Sequence, residues 1–197
     1  NTKNFICYNF KRRQLDINNK KKLFSVLQKI KPNFIINTAA LTDVNFCEKN
    51  PDLCFSTNAE SVKNIAYYAK KINSCLVHFS SDFVYDGSNT KKYTETDTPR
   101  PISIYGKSKL LSEKYIIDNS KKFIIFRISS LYSNYGKNFY KYIIQQLNSS
   151  NSIKIFNYQK SNPTNAMDLS KDLWSILEYQ IKVKERYGIY NYSSFGK

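Results

Sequence analysis

The chain has 197 residues, of which 41% are hydrophobic and 15% aromatic. That is enough apolar material for one substantial domain, and it excludes a disordered chain. No apolar run approaches the ~18 residues of a membrane-spanning helix. The formal charge is +16, from 31 basic and 15 acidic residues, but the lysines are scattered, which is typical of solvated faces rather than of a nucleic-acid-binding patch.

Strands and helices are predicted to alternate along the chain. Short apolar runs bounded by polar residues predict strands at 5–8, 15–17, 34–36, 75–79, 123–126, 153–156 and 188–192. Apolar residues at helical spacing predict a helix from a cap at Asn18 to the break at Pro32, and others at about 50–72, 104–117, 135–147 and 166–181. This alternation predicts an α/β fold with a parallel sheet covered on both faces.

Small and polar residues follow two of the predicted strands. Ala39 and Ala40 come after the strand at 34–36, and Ser81 and Asp82 come after the strand at 75–79. Ligands bind parallel sheets at the carboxyl ends of the strands. We therefore expect a binding site where these four residues meet.

Cysteine and histidine usage argues against a metal site. The four cysteines show no Cys-x-x-Cys spacing and His78 is the single histidine, whereas zinc needs closely spaced Cys and His ligands. Cys7 and Cys75 lie in apolar runs and are expected to be small core residues. Free thiols fit a reducing, cytoplasmic setting.

Tyr105 and Lys109 are the strongest candidates for chemistry. They lie one helical turn apart, on the same face of a predicted helix. A phenol has a reference pKa near ~10, and a neighbouring ammonium group favours the phenolate and lowers that pKa. With a serine hydroxyl such as Ser81 to hold a carbonyl or alcohol, the set forms the proton-transfer half of a hydride-transfer site.

A Tyr-x-x-x-Lys match is weak evidence in a chain so rich in tyrosine and lysine. Tyr67 and Lys71 form a second match, inside an apolar helical pattern, and we interpret that pair as packing. The pair at 105 and 109 gains weight from the residues upstream of it.

Those upstream residues carry a family resemblance. The chain has Ser-Ser-Asp-Phe-Val-Tyr at 80–85 and Tyr-Gly-Lys-Ser-Lys at 105–109. It resembles the dTDP-4-dehydrorhamnose reductase family of the extended short-chain dehydrogenase/reductase superfamily, where these motifs usually read Ser-Thr-Asp-Tyr-Val-Phe and Tyr-Gly-Lys-Thr-Lys-Leu. The resemblance covers almost the whole chain. It implies a Rossmann-like, doubly wound parallel sheet and NADPH- or NADH-dependent reduction of a 4-keto sugar nucleotide in deoxysugar synthesis.

The resemblance also implies roles for individual residues. Tyr105 would be the general acid, Lys109 would lower its pKa and hold the nicotinamide ribose, and Ser81 would keep the hydroxyl of the family's threonine. Further substrate contacts would be Asp82, Ser130 and Asn138. Further cofactor contacts would be Asn9, Lys11, Arg12, Asp16, Ile17, Ala39, Ala40, Leu41, Asn58 and Phe79.

The chain departs from the family pattern in three places. No glycine precedes Gly87, so the glycine turn that seats a pyrophosphate would lie before residue 1. Ser130 stands where the family has a tryptophan that helps to hold the sugar nucleotide. The family's Gln-x-Gly-x-Pro-Thr appears at 159–164 without its glycine.

These departures shape the expected domain organisation. We expect residues 1–197 to form one NAD(P)-binding Rossmann-like domain, incomplete at both ends, with part of a small substrate-binding region around 130–165. The isolated chain is expected to be inactive and to bind cofactor poorly, because it lacks the glycine turn.

NADPH is expected to be preferred over NADH. By alignment to the family, the strand at 5–8 is the one whose end contacts the adenosine ribose, and Asn9 stands where an aspartate is common. An acidic residue there repels a 2′-phosphate, whereas a nearby arginine accommodates it. Lys11 and Arg12 follow within reach, although a solvated basic loop is the alternative interpretation.

Other functions stay open at this point. A nucleotide-sugar epimerase or dehydratase of the same superfamily would share the Tyr-Lys pair. A non-catalytic regulatory subunit on the same fold is slightly favoured by the missing tryptophan. The expected partners are a nucleotide-sugar substrate and, as one option, a second copy of the chain, with neither nucleic acid nor membrane.

Overall fold

The computed structural model describes residues 5–89, 91–136, 138–149, 153, 161–183 and 186–194. The chain divides into two compact units. The first comprises the residues up to Arg127 together with Arg186–Asn191, and the second comprises Ile128–Glu185 with the C-terminal residues from Tyr192.

A four-stranded sheet organises the first unit. Its strands are β1 (Phe34–Asn37), β2 (Cys75–Ser81), β3 (Phe123–Ile128) and β6 (Gly188–Tyr192), hydrogen-bonded in the order β1-β2-β3-β6. β1 and β2 are parallel, with Phe34 opposite Cys75 and Asn37 opposite His78. The predicted α/β fold is confirmed, and four of the seven predicted strands are present.

The helices of this unit cover the sheet with apolar faces. They are α1 (Lys20–Ile30), α2 (Val44–Lys49), α3 (Pro51–Phe55), α4 (Ser61–Lys71) and α5 (Ile104–Asn119). α1 and α4 bury residues three or four positions apart, which is the helical period. The resulting core consists of Leu23, Leu27, Val62, Ile65, Ala66, Ala69, Leu76, Ile116 and Ile125.

A π-helical turn at Ser56–Glu60 joins α3 to α4, inside the helix predicted at 50–72. The extra residue in such a turn changes which side chains face inward. Here Thr57, Asn58 and Ala59 are all buried. The predicted helix is thus interrupted where it approaches the candidate site.

Two predicted strands are wrong. Residues 5–10 have no regular structure, and Ile6 is 87% exposed. Residues 15–17 belong to a chain of turns, in which the Asn19 amide donates to the Asp16 carbonyl at 3.0 Å. A strand needs a neighbour to satisfy its backbone groups, and neither segment pairs with any described strand. Cys7 is therefore exposed, against the prediction of a core residue, whereas Cys75 is buried as predicted.

Helix boundaries differ from the prediction by a few residues. Asn19, not Asn18, caps α1 by accepting a hydrogen bond from the Lys22 amide at 3.0 Å. α2 was not predicted, because six residues are too few to display a helical period. The strand predicted at 153–156 lies largely outside the described residues.

The second unit contains α6 (Phe139–Ser149), α7 (Ala166–Lys182) and two short parallel strands, β4 (Leu131–Tyr132) and β5 (Thr164–Asn165). α6 begins four residues later than predicted. α7 buries Leu169, Leu173 and Leu177 at helical spacing. Among the described residues, no helix is both long and apolar enough to cross a membrane.

α5 approaches the turn after β2 closely at Gly106, where there is no room for a side chain. A Cβ atom built on Gly106 overlaps the carbonyl oxygen of Phe83 and lies 3.1 Å from the Pro101 Cβ. Gly106→Ala must therefore push the helix away, and we expect a loss of about 1–3 kcal/mol in the free energy of unfolding. Urea unfolding checks this value against Lys107→Ala, a change at the neighbouring exposed position. Equal stability of the two variants would contradict the close approach.

Candidate active site

The first two turns of α5 carry Tyr105 and Lys109, which lie against β2 and the turn that follows it. Ser103 caps the helix by accepting a hydrogen bond from the Gly106 amide at 3.0 Å. Tyr105 is 9% exposed and Lys109 only 2% exposed. The Tyr105 ring meets the Phe83 ring edge to face, with centroids 5.7 Å apart. The predicted pair is thus buried beside the turn that follows Ser81.

Tyr105 holds its proton firmly. Burial raises the pKa of its phenol to about 12, and a hydrogen-bonding interaction with Ser81 only partly opposes this. The predicted lowering of the Tyr105 pKa by Lys109 is wrong, because burial raises this pKa and Lys109 is not among the groups that act on the phenol. The phenol is therefore fully protonated at neutral pH and is poised as a proton donor.

Lys109 is a buried cation without an ion-pair partner among the described residues. Its Nζ lies 3.4 Å from Nε2 of His78, a contact whose donor and acceptor depend on the tautomer of that ring, and it has no other hydrogen-bonding contact within the described part of the chain. Burial lowers the pKa of Lys109 to about 8, although the carboxylate of Glu113 acts in the opposite direction. The ammonium group thus retains donors for a ligand.

A buried ion pair lies one turn further along α5. Arg127 and Glu113 approach to 2.6 Å with side chains only 4% and 1% exposed. Ser80 donates to Glu113 at 2.5 Å, and Arg127 donates to the Tyr85 hydroxyl at 2.7 Å. This network joins α5, β2 and β3, and it occupies the Ser80 hydroxyl, which leaves Ser81 as the serine beside Tyr105.

Asn58 fastens the turn after β1 to α5. Its Oδ1 accepts from the Leu41 amide at 2.8 Å, and its Nδ2 donates to the Leu41 carbonyl at 2.9 Å and to the Ser108 hydroxyl at 3.1 Å. Asn58 is 1% exposed, so these hydrogen bonds are shielded from water. The turn containing Ala39, Ala40 and Leu41 is thereby fixed relative to α5, and its contact with a cofactor stays a prediction.

Two other predicted contacts lie close by in sequence. Asp82 opens a 3₁₀ turn and accepts a hydrogen bond from the Ser81 hydroxyl at 3.1 Å. Phe79 is half-buried and stacks on Phe126 with centroids 5.9 Å apart. Both stay predictions as ligand contacts.

The predicted adenosine contacts lie on an exposed loop. Asn9, Lys11 and Arg12 are exposed, and Arg12 approaches Asp16 to 3.9 Å in a solvated ion pair. Ile17 packs against the core of the first unit. The roles of these residues in binding stay predictions.

The predicted substrate contacts Ser130 and Asn138 belong to the second unit. The Ser130 hydroxyl is exposed and hydrogen-bonds with Ser161 at 3.0 Å. Asn138 donates to the Ser133 carbonyl at 2.8 Å and accepts from the Lys141 amide at 3.0 Å, which makes it a local brace. Residues 159 and 160 of the predicted substrate motif lie outside the described residues.

Two buried thiols complete the surroundings of Tyr105. Cys47 and Cys54 form a cluster with its ring. Burial and the proximity of Cys54 raise the pKa of the Cys47 thiol to about 12, so it is not a nucleophile. Within the described residues, no three metal-ligating side chains lie together.

Sequence reasoning missed the polar groups behind the site. His78 was assigned to a strand without a role, and Glu113, Arg127 and Tyr85 were not singled out. The available signals were a histidine inside an apolar run, and a glutamate four residues after Lys109. Neither signal identifies its partner, because the partners lie on other elements.

Comparisons with known proteins support the resemblance. Residues 1–197 match the family model described as the RmlD substrate binding domain. The dTDP-4-dehydrorhamnose reductase of Aggregatibacter actinomycetemcomitans is 37% identical over 182 residues, which are 91% of this chain and 62% of that protein. The chain thus spans about three fifths of the length of the first curated relative.

Solved structures agree with this match. The Bacillus anthracis dTDP-4-dehydrorhamnose reductase in complex with NADP has a TM-score of 0.92 and 33% identity, over 100% of this chain and 68% of that one. A dTDP-4-dehydrorhamnose reductase ortholog from Clostridium acetobutylicum has a TM-score of 0.92 and 31% identity, over 98% of this chain and 67% of that one. The chain therefore belongs to the RmlD substrate binding domain family, the family of the dTDP-4-dehydrorhamnose reductases.

Proposed function

We propose that the protein is an NADPH-dependent reductase of a 4-keto sugar nucleotide, with NADH as the less favoured cofactor. The observation that carries this proposal is the burial of both Tyr105 and Lys109 against β2, with Ser81 interacting with the Tyr105 phenol and His78 lying next to the Lys109 ammonium. The relatives of this chain described above are dTDP-4-dehydrorhamnose reductases, and one of them was solved in complex with NADP.

The residues present fit a nicotinamide cofactor. Lys109 is 2% exposed and has no carboxylate within ion-pair distance among the described residues, so its ammonium suits the hydroxyls of a ribose. Ala39 and Ala40 are small and follow β1, where a backbone can approach a ligand closely. A bound reduced nicotinamide would supply the hydride.

The protein's own groups would supply the proton and the orientation. Ser81 would hold the substrate carbonyl by a hydrogen bond, and Tyr105 would give its proton to the oxygen as the carbon is reduced to an alcohol. A phenol whose pKa is raised to about 12 is still far more acidic than an aliphatic alcohol, so the transfer runs towards the alkoxide. Asp82 would contact the sugar.

Two further residues are proposed as substrate contacts. We assign residues 1–197 to one NAD(P)-binding Rossmann-like domain whose substrate elements lie around 130–165, including Ser130 and Asn138. Four free cysteines fit the reducing cytoplasm, where we place the protein. Besides the nucleotide-sugar substrate, we propose a second copy of the chain as a partner. We do not propose nucleic acid as a ligand.

The first test is removal of the proposed proton donor. Tyr105→Phe keeps the buried ring but removes the hydroxyl, and we expect the rate of reduction to fall roughly 10²-fold or more. Steady-state kinetics of the full-length protein with a 4-keto sugar nucleotide and NADPH measure this rate.

Tyr67→Phe is the matched control. Tyr67 and Lys71 form the other Tyr-x-x-x-Lys pair, but Tyr67 is 45% exposed and Lys71 lies over its ring at 4.6 Å. This control is expected to keep normal turnover. Near-normal turnover of Tyr105→Phe would sink the reductase assignment, and an inactive native protein that still binds NADPH would favour a regulatory subunit.

The second test concerns cofactor choice. Asn9 is neutral, so it lacks the negative charge with which an aspartate at this position would repel a 2′-phosphate. The exposed Lys11 and Arg12 side chains could bind that phosphate. We expect the catalytic efficiency with NADPH to exceed that with NADH, and Lys11→Ala and Arg12→Ala each to reduce this ratio. Lys29→Ala, on the last turn of α1, is the control for loss of general positive charge. A native preference for NADH, or a ratio unmoved by either change, would refute the assignment of this loop.

A further inference from the structure

The histidine at the centre of β2 has a defined place in a buried hydrogen-bond chain. His78 is 0% exposed. Its Nδ1 lies 3.2 Å from the Asn37 amide nitrogen, and its Nε2 lies 3.0 Å from the Ser112 hydroxyl and 3.4 Å from the Lys109 ammonium. The ring therefore lies between the end of β1 and the helix that carries Lys109.

The hydrogen bonds fix the tautomer of this ring. The Ala39 amide donates to Asn37 Oδ1 at 3.1 Å, so the Asn37 side chain must turn its NH₂ group to His78. Nδ1 is then an acceptor, and in a neutral imidazole the proton resides on Nε2. The Ser112 hydroxyl donates to the Lys109 carbonyl at 2.6 Å, which leaves its lone pairs to accept from that proton.

The same tautomer has a consequence for Lys109. Because Nε2 carries a proton, it offers no lone pair to the ammonium that lies beside it. Burial and the charge of Lys109 both lower the pKa of His78, so the ring stays neutral. The nearest further charges on α5 and β3, those of Glu113 and Arg127, are paired with each other.

We propose that His78 is a positioning residue for Lys109. The ring links the end of β1 to α5, because Nδ1 accepts from Asn37 and Nε2 donates to Ser112. Since Nε2 carries a proton, it cannot accept a hydrogen bond from the Lys109 ammonium. The ammonium therefore stays available to the ribose hydroxyls of a bound dinucleotide. The proposal rests on the proposed function for the identity of the ligand, but the hydrogen-bond chain itself does not.

The first experiment determines which nitrogen of the His78 imidazole carries the proton. Two-bond ¹H–¹⁵N spectra of the full-length protein, with the signal assigned by its loss in His78→Gln, report which nitrogen of His78 is protonated. We expect the Nε2-protonated neutral form throughout pH 5.5–7.5, a range centred near the ordinary histidine pKa of ~6.5. A proton on Nδ1, or titration near that value, would overturn the proposal whether or not the protein is a reductase.

The second experiment uses two matched variants. His78→Gln places an amide near the position of Nε2 and can restore the donor to Ser112, whereas His78→Asn can accept from Asn37 but leaves the donor position empty. Each loses one buried hydrogen bond, so a purely structural role predicts similar effects. Calorimetric binding of NADPH is expected to weaken roughly tenfold in His78→Asn, the size of one lost hydrogen bond, and to stay within about threefold of native in His78→Gln.

The outcomes are separable. Equal binding by the two variants, weakened or not, would overturn the positioning role. If either variant fails to fold, Ser112→Ala removes the same link from the helix side and must weaken NADPH binding by a similar factor, while unchanged binding overturns the proposal. Loss of sugar reduction without loss of NADPH binding in the native protein would count against the proposed function alone.

Discussion

A lysine ammonium group sealed inside the first unit is the constraint around which the site is arranged. Lys109 is almost fully buried, and a buried cation is costly unless it is paired. The lowering of its pKa to about 8 from an ordinary value near ~10.4 corresponds to about 3 kcal/mol. Because the unfolded chain binds the proton more tightly, this cost is present at neutral pH and is relieved as the pH rises through that interval. The fold thus holds a destabilising group at the point where a ligand is expected.

The surrounding polar groups make this burial tolerable without neutralising the cation. Glu113 favours the charged form of Lys109, yet its carboxylate is committed to Arg127 and Ser80. Breaking such a buried pair by removing one partner is strongly destabilising, because it leaves the other charge unpaired. The Glu113 carboxylate therefore favours the charged form of Lys109 without forming an ion pair with it. His78 and Asn58 link the end of β1 and the turn after it to the same helix. The proposed role of Lys109 is therefore opposed to stability.

The sequence predicted those parts of the molecule that depend on local pattern. The strands at 34–36 and 75–79 followed from apolar runs, and the positions of Ser81, Tyr105 and Lys109 followed from a strand end and a helical spacing. The strand at 5–8 was wrong because pairing with a neighbour, not apolar composition, decides whether a segment is a strand. The direction of the Tyr105 pKa was wrong for a related reason, since burial is set by residues such as Phe83 that come from another element. The His78 chain and the pair of Glu113 with Arg127 join distant segments and leave no spacing signal.

The charge of Lys109 is the most direct test of this account. In the cofactor-free full-length protein, the side-chain NMR signal of Lys109, assigned by its loss in Lys109→Met, can be followed as a function of pH. We expect Lys109 to titrate with a pKa near 8, well separated from that of an ordinary exposed lysine at ~10.4. A Lys109 signal that titrates together with the exposed lysines would show that its ammonium is hydrated or paired, and would contradict the buried, ligand-ready cation on which the site depends.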